Sequence, residues 1–191
     1  MNPRLMSKAN SLKNDQELIT ACARKEPNAQ KQLFNQYAGK MLGVCARYCP
    51  NMEDAKDALH EGYIKIFHQI ERFKGNAKLE TWMTRIMINT AIDHFKKSIK
   101  FKEYNPESRE LEEATYIEFD EDKEVKMADL IAVINKLPDG YRIIFNLYAI
   151  EGYTHKEIAA QLSISEGTSK SQLARARKQL QRLVKENINL G

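Results

Sequence analysis

Long apolar stretches are missing from this sequence. No run approaches the roughly 18 apolar residues of a helix that crosses a membrane, and the opening residues, MNPRLMSKANSLKND, lack the continuous apolar block of a secretory signal. Hydrophobic residues make up 42% and charged residues 29% of the chain, which is typical of one ordinary globular domain or two small ones. We therefore expect a cytoplasmic protein with no direct membrane insertion.

Cysteine and histidine are also scarce. The three cysteines are an odd number, which fits a reducing compartment better than a disulfide framework. Cys45 and Cys49 share a helical face, but no second pair of Cys or His lies near them in sequence, so we predict buried thiols rather than a metal site. The four histidines are scattered, and no cluster of His with acids resembles a catalytic centre. We predict no metal, no cofactor and no catalytic residue.

Charge divides the chain into three parts. Residues 1–100 hold 17 Lys/Arg and 10 Asp/Glu, a net +7; residues 101–125 hold 3 and 10, a net −7; residues 126–191 hold 10 and 6, a net +4. The acidic part has no sustained helical apolar period, so we predict a flexible acidic linker over 99–126. It is either a solvated spacer or an acidic tether that mimics nucleic acid in a basic channel of a partner.

Helical apolar spacing runs through the first basic part. We predict a helix from Asp15, a plausible N-cap, with a break or restart at Pro27. The pattern repeats over NMEDAKDALHEGYIKIFHQI, and a helix of the same kind is predicted from about Leu79 to Lys97, after the loop RFKGNAK. The predicted core positions are Leu18, Ile19, Cys22, Leu33, Tyr37, Met41, Val44 and Cys45, followed by Ala55, Ala58, Leu59, Tyr63, Ile66, Phe67 and Ile70.

The second basic part carries clear helix start and stop signals. Pro138 suits a first helical turn and Gly152 a helix end. Thr154 and Glu157 have the spacing of a capping box, and Ser165 can cap the next helix. Two short helices joined by a tight turn, with a basic second helix, are the pattern of a helix-turn-helix.

The second of these helices, GTSKSQLARARKQLQRL at residues 167–183, contains no acid. A solvated face would interleave acids with its cations, and a membrane helix would carry bulky apolar anchors. Its start is slim enough for a major groove because Gly167, Thr168, Ser169 and Ser171 are small. We therefore favour DNA over a solvated face. The docking stripe is Leu173, Ala176, Leu180 and Leu183, and the cations off it are Lys170, Arg175, Arg177, Lys178 and Arg182.

Longer segments resemble a known family. LPDGYRIIFNLYAIEGYTHKEIAAQLSISEGTSKSQLARARKQL resembles region 4 of the extracytoplasmic function (ECF) subgroup of sigma-70-family initiation factors, through LP, EIA, L-x-IS, GT-x-KS and RARK. EDAKDALHEGYIKIFHQIERFKG and LETWMTRIMINTAIDHFKK resemble region 2. The resemblance implies an all-α fold of two small helical domains, a region 2 bundle at 15–98 and a region 4 helix-turn-helix at 127–184, joined by the acidic linker.

The family resemblance also implies a function. Such a factor binds core RNA polymerase, directs it to specific promoter DNA and helps open the duplex, with no enzymatic activity of its own. Many members are held inactive by an anti-sigma factor, which makes such a protein a candidate partner. One alternative from the same broad class stays open: a helix-turn-helix regulator that acts on duplex DNA without polymerase. A nucleic-acid enzyme such as a nuclease fits poorly, because no cluster of acids with His resembles a metal site.

Site residues follow from the resemblance by position. Trp82 is expected in the core rather than stacked on a DNA base. Gln172 stands where the family often has an arginine, and the absence of that arginine would remove one phosphate or base contact. The predicted polymerase-binding residues are Asp54, Asp57, Glu61 and Phe67. Those predicted at the minus-ten element are Lys74, Asn76, Lys78, Arg85 and Asn89. Those predicted at the minus-thirty-five element are Thr168, Lys170, Ser171, Arg175, Arg177 and Lys178.

Overall fold

The computed structural model of the chain describes residues 15–98 and 132–188. Within these two ranges every regular element is a helix, which confirms the predicted all-α class. The predicted linker at 99–126 lies outside the described residues. The chain divides into two compact units, Met1–Ser98 and Ile99–Gly191.

Four α-helices form the described part of the first unit. They are α1 (15–23), α2 (Pro27–Ala46), α3 (Met52–Gln69) with a 3₁₀ turn at Ile70–Arg72, and α4 (Leu79–Ser98). Pro27 begins α2, after a turn in which Lys25 has a φ of 61°. The predicted break at this proline is confirmed. Proline has no backbone N–H, and the first turn of a helix does not use that group in an intrahelical hydrogen bond, so proline fits there.

The core of the first unit lies between α2, α3 and α4. Helix α1 buries its own Leu18, Ile19 and Cys22. The predicted core positions are buried, except that Tyr37 and Phe67 stay partly exposed. The predicted buried thiols are confirmed: the three cysteines are all buried, and burial raises the pKa of Cys45 to about 12.

Gly62 of α3 lies directly against the Met87 side chain of α4. A Cβ added at Gly62 would fall on the thioether of Met87, which is fully buried. The absence of a side chain at Gly62 therefore allows the two helices to pack at this depth.

We expect Gly62→Ala to lower the free energy of unfolding, because overpacking a filled core costs about 1–3 kcal/mol. Gly43→Ala is the matched control: Gly43 also lies inside a helix, but an added Cβ there meets no atom within 4 Å. That variant should gain up to about 1 kcal/mol from helix propensity. Urea unfolding would measure both changes, and equal stability of the two variants would contradict this account of the packing.

The second unit contains a helical turn α5 (132–135), then α6 (Asp139–Phe145), a π-helix (Asn146–Ile150), α7 (His155–Leu162) and α8 (Glu166–Ile188). Its buried cluster joins α5 to the middle of α8. The buried members are Val133, Ile134, Leu137, Ala176 and Leu180, with Tyr141, Phe145, Leu183 and Val184 packed around them.

The predicted start and stop signals of this unit are confirmed. Pro138 is the N-cap of α6, and Gly152 ends the segment with a φ of 74°. Thr154 and Glu157 form a reciprocal capping box on α7. The hydroxyl of Ser165 accepts a hydrogen bond from the Thr168 amide at 2.9 Å and so caps α8. Helices α7 and α8, joined by this tight turn, form the predicted helix-turn-helix.

The π-helix departs from the uninterrupted helix that the apolar spacing indicates up to Gly152. Here the Glu151 amide donates to the Asn146 carbonyl at 3.0 Å, five residues earlier. Such a turn holds one more residue than an α-helical turn, so it changes the direction of the side chains that follow it.

Candidate nucleic-acid interface

Helix α8 separates an apolar face from a basic one. Leu173, Ala176 and Leu180 are buried, which confirms the predicted docking stripe, and Leu183 is half-buried beside them. At 100° per residue, the side opposite this stripe carries Thr168, Ser171, Arg175, Lys178 and Arg182. Lys170 and Arg177 lie seven residues apart along one flank, and both are exposed. The cations therefore face away from the core of their own unit.

Local hydrogen bonds order the start of α8. The Thr168 hydroxyl lies 2.9 Å from the Ser165 hydroxyl, and the Ser171 hydroxyl donates to the Thr168 carbonyl at 3.1 Å. Both side chains are partly exposed and short. The leading turn of α8 is thus narrow and held in place before any ligand binds.

Two residues of this turn point inward. Ser169 is fully buried and its hydroxyl lies 2.9 Å from Nδ1 of His155, so it joins α8 to α7 rather than narrowing an exposed face. Gln172 is 4% exposed. Gln172 is therefore turned inward in this chain, and the loss of a phosphate or base contact relative to an arginine stays a prediction. The stripe spacing could have shown both, since Ser169 precedes Leu173 by four residues and Gln172 precedes Ala176 by four.

An aromatic contact that the sequence analysis missed supports the same helix. The ring of Tyr148 stacks on the imidazole of His155, with centroids 4.7 Å apart and planes 25° apart. The guanidinium carbon of Arg177 lies 5.7 Å from the centroid of the Tyr148 ring. Arg177, a predicted DNA contact, is therefore held beside a tyrosine from the π-helix. Nothing in local spacing separates Tyr148 from its apolar neighbours.

A second exposed basic surface lies on the loop before α4. Lys74, Asn76 and Lys78 are all exposed, and Gly75 turns the loop with a φ of 72°. The base of the loop is fixed by Phe73 and Trp82, whose ring centroids lie 5.4 Å apart. Trp82 stays partly exposed, contrary to its expected core position, and its ring contacts Phe73 of the loop.

The loop leads directly into the exposed face of α4. Arg85, Asn89 and Asp93 follow at intervals of four, and all three are exposed. The predicted minus-ten residues are therefore accessible on consecutive parts of the chain.

The predicted polymerase-binding residues of α3 differ in their surroundings. Asp57 is exposed. Asp54 takes part in the helix cap, where its amide donates to the Asn51 side chain at 2.8 Å and its carboxylate accepts from it at 2.9 Å. Phe67 is half-buried beside Tyr63, with ring centroids 5.8 Å apart.

Glu61 makes contacts within the protein, between α3 and α4. Its carboxylate lies 2.8 Å from the Lys65 ammonium and 2.7 Å from Nε2 of His94. Lys65 also donates to the buried Thr90 hydroxyl at 3.2 Å. The hydrogen bond from Lys65, and then that from His94, lower the pKa of the Glu61 carboxyl against the opposing effect of burial. Sequence spacing finds Lys65 but not His94, which is 33 residues away.

We expect this contact to make stability depend on pH in the acid range. A carboxyl whose folded pKa is lowered stabilises the fold above its ordinary pKa of about 4.3, and the contribution is lost as the pH falls through the folded value. The stability difference between the parent protein and Glu61→Gln should therefore shrink as the pH drops from 7 to 3. Urea unfolding across this range would measure it, with Asp57→Asn as the control. A difference that stays constant would contradict the contact.

Ile64 is the residue of α3 that the sequence analysis missed. It is 58% exposed, although isoleucine is usually buried. It follows Asp57 by seven residues and Glu61 by three, so it lies among the acids on the solvent side of the helix. An isoleucine off the apolar stripe, on the same helix face as Asp57 and Glu61, is the signal that could have identified it.

The described residues show no further chemical site. Among residues 15–98 and 132–188, no group of three or more His, Cys, Asp or Glu side chains is arranged to hold a metal ion. In the same two ranges, no helix combines the length and apolar character needed to cross a membrane.

Comparison with known proteins gives two family matches, in the same order as the two units. Residues 33–100 match the family described as sigma-70 region 2, and residues 127–180 match sigma-70, region 4.

The chain is 30% identical to the RNA polymerase sigma-H factor of Pseudomonas aeruginosa over 190 residues, which covers 90% of this chain and 96% of that protein. It is 27% identical to the ECF RNA polymerase sigma-E factor of Escherichia coli K12, covering 91% and 96%. A solved structure of the sigma factor RpoE from Bartonella quintana, in complex with the anti-sigma factor NepR, is similar with a TM-score of 0.49 and 20% identity, covering 82% and 97%.

Proposed function

The chain belongs to the sigma-70 family as an RNA polymerase sigma factor of the ECF subgroup, and from this premise we propose that three exposed surfaces divide the work of initiation between them. The acidic face of α3 binds core polymerase. The loop at 73–78, with α4, binds the minus-ten element and helps open it. Helix α8 lies in the major groove of the minus-thirty-five element. The domains follow this division, with region 2 at 15–98, an acidic linker at 99–126 and region 4 at 127–184.

The observation that carries this proposal is the orientation of α8. Its buried stripe fixes the helix on its own unit, and its cations project on the other side. A basic helix presented in this way suits phosphate contacts along a duplex, while its narrow leading turn suits base edges in a major groove.

The minus-ten role is supported by the exposed loop before α4. A base that leaves the duplex needs polar groups to hold its edge and an apolar or aromatic wall to replace its stacking. Lys74, Asn76 and Lys78 supply the polar groups, and the partly exposed Phe73 and Trp82 pair supplies the wall at the base of the loop.

The polymerase-binding role is supported by the combination of Asp57 and Ile64 on one exposed helix face. Acidic side chains beside an exposed apolar one are typical of a surface that docks on a basic partner and buries an apolar anchor. Asp54 and Glu61 add charge next to Asp57 while their contacts with Asn51, Lys65 and His94 hold the helix.

In this function the protein has no catalytic chemistry of its own, since polymerase forms the phosphodiester bonds. It acts in the cytoplasm, where polymerase and promoter DNA are found. An anti-sigma factor is the further candidate partner, as the family resemblance implies.

Run-off transcription tests the proposal against a regulator that acts on duplex DNA without polymerase. DNA fragments selected from a genomic library by the protein together with core polymerase would serve as templates. We expect core polymerase to give specific transcripts from these fragments only when the protein is added. If the protein binds the fragments without polymerase, and adding it leaves transcription by core polymerase unchanged, the result would favour the regulator.

We expect Asn76→Ala and Lys78→Ala to impair promoter opening rather than duplex binding, because the loop is proposed to hold an unstacked base. Both variants should bind fully duplex promoter DNA like the parent and a pre-opened bubble more weakly. Permanganate footprinting of thymines at the start site would measure opening. Normal opening by both variants would exclude the loop from this role.

A further inference from the structure

We propose that Tyr148 is a positioning residue for DNA binding, which holds Arg177 of α8 in place for contact with a phosphate of the promoter. The inference rests on the proposed role of α8 and adds to it a residue outside the helix-turn-helix. Tyr148 lies on the π-helix that precedes α7, and neither the apolar stripe nor the family motifs mark it.

The geometry links three elements through one ring. Tyr148 stacks on His155, the first residue of α7, with centroids 4.7 Å apart. His155 in turn lies 2.9 Å from the hydroxyl of Ser169, in the first turn of α8. The same ring lies 5.7 Å from the Arg177 guanidinium carbon, two helical turns further along α8. Tyr148 is therefore connected to α8 at two points.

These two points enclose the segment that is proposed to read DNA. Ser169 and Arg177 are eight residues apart, which is about 12 Å along a helix axis. Lys170, Ser171 and Arg175 lie between them. Contacts at both ends of this segment fix the Tyr148 ring relative to α8, so the guanidinium of Arg177 keeps its position beside the ring.

The effect on Arg177 is direct. An exposed arginine samples many rotamers, and ordering it against a phosphate costs side-chain entropy. A guanidinium held beside an aromatic face loses part of this freedom before DNA arrives, while its planar edge can still donate hydrogen bonds. The ring thus lowers the cost of the phosphate contact without touching the DNA.

Tyr148 lies within the π-helix at Asn146–Ile150, whose residues Asn146 and Leu147 are buried. Its ring meets His155 of α7 and Arg177 of α8. Tyr148 itself is only half-buried, and two of its ring contacts are with a polar and a charged side chain, His155 and Arg177. This environment differs from that of an ordinary core tyrosine.

The test compares Tyr148→Leu with Tyr148→Phe, in the full chain bound to core polymerase. The probe is a duplex selected from a random library by the parent complex, and binding is measured at several salt concentrations. We expect Tyr148→Leu to bind about 3- to 10-fold more weakly, with a salt slope smaller by about one counterion. Tyr148→Phe keeps the ring and should bind like the parent.

The decisive variant is the double mutant Tyr148→Leu with Arg177→Ala. If Tyr148 acts through Arg177, the double mutant binds no more weakly than Arg177→Ala alone. A general loss of folding would instead add to the effect of Arg177→Ala, and that additive result would overturn the inference. Thermal unfolding of each variant supplies the independent measure of folding.

The same measurements separate failure of this inference from failure of the proposed function. If Lys170→Ala, Arg175→Ala and Arg177→Ala all bind like the parent, α8 does not face DNA, and both proposals fall. If these three weaken binding while Tyr148→Leu does not, only the role of Tyr148 falls.

Discussion

Replacing Ile64 by alanine should weaken binding of the protein to core RNA polymerase by about 30-fold, or about 2 kcal/mol. Ile64 is 58% exposed on the acidic face of α3, so its side chain gains most of its burial only when a partner covers it. Complete burial of an isoleucine contributes about 1.5–3 kcal/mol. A titration of labelled core polymerase with the purified variant would measure the loss.

Met52→Ala is the matched control for this prediction. Met52 is 52% exposed on the same helix, but its position is turned by about 120° from Ile64. Both substitutions remove an exposed apolar side chain and should leave the stability of the free protein almost unchanged. If the two variants bind polymerase equally well, the apolar anchor of the contact lies elsewhere.

Replacing Arg175 by alanine should cost about 1–3 kcal/mol in promoter binding and relax the sequence preference at one or two positions. Arg175 lies on the side of α8 opposite the buried stripe and close to its narrow leading turn, where a bidentate contact with a base is within reach. Competition binding on the preferred minus-thirty-five element and on its single-base variants would measure both effects.

Lys178→Ala should behave differently, although Lys178 shares the same face one turn further on. Loss of a phosphate contact weakens binding to every sequence alike and reduces the salt slope by about one counterion. Lys185→Ala serves as the control, because it removes the same charge from the last turns of the same helix. If Arg175→Ala and Lys178→Ala bind every variant like the parent, α8 does not read the promoter.

The local features of the fold could be predicted because they depend on spacing within a few residues. The capping box of Thr154 and Glu157, the restart at Pro27 and the stripe of Leu173 and Ala176 each reside in a single turn or a single helix face. Short-range chemistry determines them, so reading along the chain is enough.

The features that the sequence analysis missed depend on partners far away along the chain. Glu61 is coupled to His94 on another helix, and the hydroxyl of the buried Ser169 finds its partner in His155 of α7. Periodicity indicates which face of a helix is buried, but it does not identify the group that will meet a polar side chain there. Ile64 shows the opposite error, since an apolar residue outside the stripe attracts no attention until its exposure is measured.

The three buried cysteines have a practical consequence. Only the thiolate of a cysteine reacts readily with alkylating dyes, and burial raises the pKa of both Cys22 and Cys45. A single cysteine introduced at an exposed position outside the proposed contacts, such as Ala77 on the loop or Lys185 on α8, should therefore accept a fluorophore while the natural cysteines stay unmodified in the folded protein. Energy-transfer measurements of promoter opening and of groove engagement can thus begin from the natural sequence, without a cysteine-free background.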